Sequence, residues 1–186
     1  LLFVEHPHVL TLGRNGSMRN LLASEAALKA AGISFFEIDR GGDITYHGPG
    51  QIVGYPIFDL REWRRDVVAY VRAMEQAIID ALAEFGIEAG RSEGATGVWV
   101  NGAKVAAIGV HISRWVTSHG FALNHTTDLN YFKYIVPCGL TRPVTSMREL
   151  GVAAPRAEVI AALTRHFSRI FEFEAVEPVL HSEHAI

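Results

Sequence analysis

The chain has 186 residues, 49% of them hydrophobic and 20% charged, with a formal net charge of −3. That balance fits one globular domain burying about 70% of its unfolded surface, and it excludes a disordered chain, a bilayer-spanning run of ~20 apolar residues and nucleic-acid binding through bulk charge. The single cysteine, Cys138, excludes an intrachain disulfide framework and a cysteine-cluster metal site; it fits a reducing compartment and leaves one thiol to explain.

The sequence starts at Leu1, without Met, on the apolar stretch Leu1 to Val4. The expectation is a missing natural start. No signal-peptide pattern is visible, so a cytoplasmic setting is expected, with an organelle address left open. Strands are expected over Leu1–Glu5 and His8–Leu12. A helix is expected over Ser17–Ala31, with Gly32 as its stop. A strand follows at Ser34–Asp39 and another at Ile52–Phe58. Asp66 to Phe85 carries one apolar stripe and predicts the longest helix. Strands over Gly97–Val100 and Lys104–Ser113 flank Asn101-Gly102, a strong two-residue hairpin signal that puts Lys104 at the start of the second strand. A strand at Thr117–Leu123 and a helix at Pro155–Phe171 complete the order. No linker or repeat is visible, so residues 1–186 read as a single domain. Strands and helices do not alternate regularly, which predicts an α+β fold: a mixed, largely antiparallel β-sheet flanked by helices.

Three segments can carry chemistry. The first is Arg40-Gly41-Gly42-Asp43-Ile44-Thr45-Tyr46-His47-Gly48-Pro49-Gly50-Gln51. Its glycines let a loop approach another body closely, and it is neither a Walker A loop nor a dinucleotide fingerprint. A tight turn between strands is the plain alternative. The second is Gly102 to Gly109, where Lys104 stands among small and apolar residues. Partial desolvation would favour its neutral form; alternatively, its stem covers apolar surface while its ammonium stays in water. The third is Ile135-Val136-Pro137-Cys138-Gly139-Leu140. Free cysteines are usually buried small hydrophobes, but Pro before and Gly after put this thiol on an accessible turn. His111, His119 and His125 lack the spacing of a metal site. His6, His8, His181 and His184 read as bland.

Together these segments resemble one family. Residues 40–51 resemble its RGG-x-x-TYHGPGQ signature. Gly97-Val98-Trp99-Val100 with Ala103-Lys104-Val105-Ala106-Ala107-Ile108-Gly109 resembles its GVWV…KIAAIG segment. His119-Gly120-Phe121-Ala122-Leu123-Asn124 resembles HGFALN, and Ile135-Val136-Pro137-Cys138-Gly139 resembles I-x-PCG. Glu5-His6-Pro7 and Thr11-Leu12-Gly13-Arg14 are similar to its EHP…TLGR opening. The family is octanoyltransferase, also called lipoyl(octanoyl) transferase or lipoate-protein ligase B. The resemblance runs to about Met147. Two stretches depart from the pattern, Arg91 to Gly94 and His125 to Asp128.

The resemblance implies the catalytic domain shared with biotin and lipoate protein ligases. It implies transfer of an octanoyl group from octanoyl-acyl carrier protein to a lysine of lipoyl domains, those of 2-oxoacid dehydrogenase complexes and the glycine cleavage H protein. Cys138 would carry the acyl group and Lys104 would activate it. Arg40 to His47, Ala107-Ile108-Gly109 and Gly120-Phe121-Ala122 would bind substrate. His119 is left as structural or supporting. No cofactor and no metal is implied, because a thioester donor already carries the activation energy. An acidic carrier would dock on a local basic patch drawn from Arg14, Arg40, Arg61, Arg64 and Arg65. The competing readings are an ATP-dependent lipoate ligase, a non-catalytic carrier-binding module and a thioester hydrolase.

Overall fold

The computed structural model describes residues 1–136 and 142–174. Nine strands and three α-helices occur among them. In chain order they are β1 (Leu2–Val4), β2 (Val9–Leu12), α1 (Glu25–Ala30), β3 (Ser34–Glu37), β4 (Ile44–His47), β5 (Gln51–Tyr55), α2 (Val67–Ala83), β6 (Gly90–Ser92), β7 (Ala95–Val100), β8 (Ala103–Ser113), β9 (Val116–Asn124) and α3 (Arg156–Phe171).

Asp66 starts α2 by accepting the Ala69 amide at 2.9 Å, an N-cap worth about 1 kcal/mol. The apolar stripe of the helix, including Tyr70, Met74, Ile78 and Leu82, is buried. Between β7 and β8, Asn101 and Gly102 both take positive φ, 48° and 79°, as a tight primed turn requires. Lys104 therefore lies near the start of β8, as expected from the hairpin signal.

The strands form two sheets. One has six strands in the order β1-β5-β9-β8-β7-β6, all antiparallel; the other has three in the order β3-β2-β4, with β2 and β3 parallel across α1. The mixed, largely antiparallel expectation holds, but it takes two sheets. Helices α2 and α3 cover one face of the larger sheet, packing on Ile52, Ala106, Phe121 and Leu123. A second core joins Leu10, Leu12, Ile44 and Tyr46 of the smaller sheet to Leu28 of α1 and to Ile135. Strand alternation turns Val9, Thr11, Thr45 and His47 the other way, towards the six-stranded sheet.

Two expectations need correction. The helix over Ser17–Ala31 is broken: a 3-10 turn covers Met18–Asn20, Leu21 pairs with Ile135, and α1 starts only after Ser24, whose hydroxyl accepts from Ala27 N. Asp43 explains the early turn, because its carboxylate accepts from Ser17 N and from the Asn20 side chain. The Gly-rich segment is not all loop either. Ile44–His47 is a strand, and Tyr46 is fully buried, bonded to His8 and stacked on Tyr131. No helix among the described residues is long and apolar enough to cross a membrane.

Candidate active site

Between the two sheets lies a cavity of about 390 Å³. That is within the range of small-molecule sites. Its floor is the paired run Ala107↔Ala122 and Gly109↔Gly120 on β8 and β9. Small side chains there leave the space between the sheets open. Its other walls come from Val53 and Tyr55 of β5, Val9 and Thr11 of β2, Thr45 and His47 of β4, and Phe36 of β3. A smaller neighbouring pocket is lined by Lys104, Gln51, Asn124, Phe132 and Val144, and shares Thr45, Ala107 and Ala122 with the large cavity. One end of the large cavity therefore adjoins Lys104.

Lys104 is 9% exposed, with its Nζ 4.8 Å from the centre of the Trp99 ring. Its stem passes close over Gly97, where φ is +122° and a side chain would meet the Ala106 carbonyl. Its backbone is held on both sides by the chain that follows the thiol segment: Lys104 N donates to Pro143 O and Thr145 N donates to Lys104 O, both at 2.9 Å. Behind Gly97 sits Glu75, fully buried, which accepts from Gly97 N at 3.0 Å and pairs with Arg72 and Arg91. Cys138 lies outside the described residues.

His47 is the most perturbed titratable group in the cavity. Burial pushes its pKa down to about 4, opposed by its hydrogen bond to Gln51 and assisted by the nearby Arg40 charge. It is therefore neutral near pH 7. Gln51 Nε2 donates to Tyr46 O and Asn124 Oδ1, so Gln51 Oε1 is the acceptor for His47 Nδ1, 2.8 Å away. The proton sits on Nδ1, and the Nε2 lone pair is left as the acceptor. Asn124 continues the chain of bonds to Thr145 O. His47 is thus linked to the segment beside Lys104.

Arg40 is 7% exposed and lines the cavity while donating to the Thr11 hydroxyl and carbonyl. Its burial removes it from the expected basic docking patch. Arg61 is also spoken for, in a bidentate pair with Asp59. Of the substrate-binding set expected from sequence, Arg40, Gly42, Asp43, Thr45, His47, Ala107, Ile108, Gly109, Gly120, Phe121 and Ala122 line the cavity. Gly41, Ile44 and Tyr46 do not. Gly41 N bonds Val110 O, and Ile44 and Tyr46 face the second core.

Sequence reasoning missed His6 and Tyr55. His6 Nε2 and the Tyr55 hydroxyl are 2.6 Å apart on the cavity wall. His6 stands in the Glu5-His6-Pro7 opening, which was the signal available. His125 bonds Ala154 O and is structural, while His119 lines the cavity and bonds Asp39. Among the described residues no group of three or more His, Cys, Asp or Glu side chains is placed to hold a metal ion.

The model of the lipoyl protein ligase A/B catalytic domain matches residues 1–168. An octanoyltransferase from Solibacter usitatus is 70% identical over 174 residues, covering 94% of this chain and 79% of that protein. The chain belongs to the octanoyltransferase family. Solved structures agree on the fold. A bipartite lipoate protein ligase from Thermoplasma acidophilum superposes with a TM-score of 0.78 at 18% identity, covering 97% of this chain and 74% of the other. The biotin protein ligase of Aquifex aeolicus gives 0.56 at 16% identity, over 68% of this chain and 52% of the other. Among the described residues, the segments Arg40–Gln51, Ala103–Gly109 and His119–Asn124 meet at the cavity and its Lys104 end, and the biotin and lipoate ligase architecture expected from sequence is the one observed.

Proposed function

We propose that this chain is an acyltransferase that moves an octanoyl group from octanoyl-acyl carrier protein to a lysine of a lipoyl domain through a thioester on Cys138. One observation carries the reading: an apolar slot between two sheets, floored by small residues, that ends beside a buried lysine. Eight carbons in such a slot gain a few kcal/mol at ~0.8 kcal/mol per CH₂. The chain after the thiol also supports it. Pro143 is bonded to Lys104, and the five residue steps back to position 138 span at most about 18 Å.

In the first half-reaction Lys104 takes the proton of Cys138, and the sulfur attacks the carbonyl carbon of the donor thioester. A carbon–sulfur bond to Cys138 forms, the bond to the carrier breaks, and the carrier thiol leaves with the proton from Lys104. In the second, the neutral amine of the acceptor lysine attacks the Cys138 thioester. An amide forms, the thioester bond breaks, and the surplus proton returns to the Cys138 sulfur by way of Lys104. Amides are more stable than thioesters, so the second step runs downhill without ATP. Acceptors are the lipoyl domains of 2-oxoacid dehydrogenase complexes and the glycine cleavage H protein. A reducing, cytoplasmic setting suits a catalytic thiol.

The test is intact mass after mixing with octanoyl-acyl carrier protein, without ATP. The wild type should gain the mass of one octanoyl group and lose it when a lipoyl domain is added. Cys138→Ser should form no hydroxylamine-labile adduct. A hydroxylamine-labile adduct on that variant, or transfer that requires ATP, overturns the reading.

A further inference from the structure

The floor of the cavity has a direction. Lys104 stands before Ala107 on β8, and the lining continues through Gly109 to its partner Gly120 and then His119; neither Val110 nor His111 lines it. At a rise of ~3.4 Å per residue, Gly109 is about 17 Å along β8 from Lys104. An acyl chain whose carbonyl sits near Lys104 therefore points its methyl end at Gly109, Gly120 and His119.

That end is crossed by the segment Ile38 to Gly42, which connects β3 to β4. Ile38, Arg40 and Gly42 face the cavity. The two residues between them are tied to the opposite sheet. Gly41 N donates to Val110 O at 2.8 Å, and Asp39 Oδ1 accepts from His119 Nε2 at 2.7 Å. The fit is close: a side chain at Gly109 would strike Gly41 O at 2.9 Å. His119 reaches Asp39 from a left-handed backbone, φ 59°, although it keeps its place opposite Val110 in the β8–β9 ladder. L-residues hold that conformation only where the surroundings enforce it, and such positions cluster at ligand clamps. His111 Nε2 at 3.8 Å and Arg14 at 4.0 Å also face the Asp39 carboxylate.

We propose that the Ile38–Gly42 strap is the stop that sets acyl-chain length, and that the His119–Asp39 bond is the clasp holding it shut. His119 is a specificity-determining residue at the methyl end, remote from the reacting atoms. A chain longer than the slot meets the strap. With the His119 clasp removed, the strap keeps the Gly41–Val110 bond and the looser approach of His111 to Asp39 at 3.8 Å, and the extra carbons can pass between the sheets into solvent. His111 and Arg14 still face Asp39 when the His119 ring is gone.

The inference rests on the cavity being the acyl slot, and the experiment separates the two. Binding of octanoic and dodecanoic acids is measured by calorimetry on the wild type, His119→Ala and Asp39→Ala. Asp39 is on an exposed connection, so its variant folds even where a substitution in β9 does not. The wild type should bind octanoic acid more tightly, and both variants should shift the octanoic-to-dodecanoic affinity ratio at least 10-fold towards the longer chain. A wild type that binds neither acid overturns the acyl-slot reading itself. A wild type that binds octanoic acid, with a ratio unchanged in Asp39→Ala, leaves the slot standing and overturns the stop.

Discussion

Gln51 and Asn124 stand opposite each other on β5 and β9, and the Gln51 amide donates to the Asn124 carbonyl oxygen at 2.9 Å. This bond decides the orientation of the Gln51 side chain, and through it the protonation of His47. We expect nitrogen NMR to find His47 as the Nδ1–H tautomer throughout pH 5–8. Gln51→Glu places an anion against that proton and should raise the His47 pKa measurably. A His47 that titrates in the wild type near its ordinary value of 6.5 contradicts the geometry.

The same histidine sets a pH dependence of stability. Burial holds its folded pKa near 4, below the ordinary 6.5. Between those values the unfolded chain binds more protons than the folded one, so stability rises with pH across that window and falls on acidification. Two and a half pKa units correspond to about 3 kcal/mol between pH 4 and 6.5. His6, lowered by burial too, acts in the same direction. Urea unfolding of His47→Asn should show a flatter dependence from pH 4 to 6.5, and an unchanged slope rules His47 out as its source.

Glu75 holds the backbone beneath Lys104. Glu75→Ala leaves the Gly97 amide without its acceptor, at a cost of about 1–3 kcal/mol in unfolding free energy. Because the Lys104 stem lies over Gly97, acyl-enzyme formation should slow even at temperatures where the variant is folded. Glu75→Gln keeps an acceptor for Gly97 and should recover most of that rate. Equal rates in wild type and Glu75→Ala would show that Lys104 does not depend on this support.

Gly109→Ala should close the slot. The new methyl meets the Gly41 carbonyl at 2.9 Å and Arg40 Cδ at 3.1 Å, and a backbone carbonyl cannot swing aside. Overpacking of this kind costs about 1–3 kcal/mol. Octanoic acid binding should weaken at least 10-fold. Gly90→Ala, where a methyl meets nothing within 4 Å, serves as the neutral control. Comparable losses in both variants would mean that the Gly109 contact is not what matters.

Much of the fold was legible because its signals are local. The stripe of α2, the Asn101-Gly102 turn and α3 are written in spacing and turn chemistry. What was not legible depends on contacts distant in sequence. Leu21 leaves a helical pattern because Ile135 offers it a pairing partner and Asp43 captures the turn before it. Tyr46 reads as a loop residue until the stack on Tyr131 and the bond to His8 bury it. The alternation of β4 then divides one motif between two tasks. Thr45 and His47 meet the cavity, while Ile44 and Tyr46 hold the smaller sheet together. His6 lies in the Glu5-His6-Pro7 opening, but nothing near it in sequence points to Tyr55; only the meeting of β1's exit with β5 makes them a pair.

Among the described residues no strand ladder joins the three-stranded sheet to the six-stranded one. The cavity is therefore a seam rather than a hole. Each of its two walls carries its own ladder of backbone hydrogen bonds, like the two covers of a book. Admitting a guest requires no strand to be peeled away, only a widening of the gap against the few ties that cross it. Amide exchange in both sheets should stay slow when an acyl chain enters, because access and structural integrity are governed by different bonds.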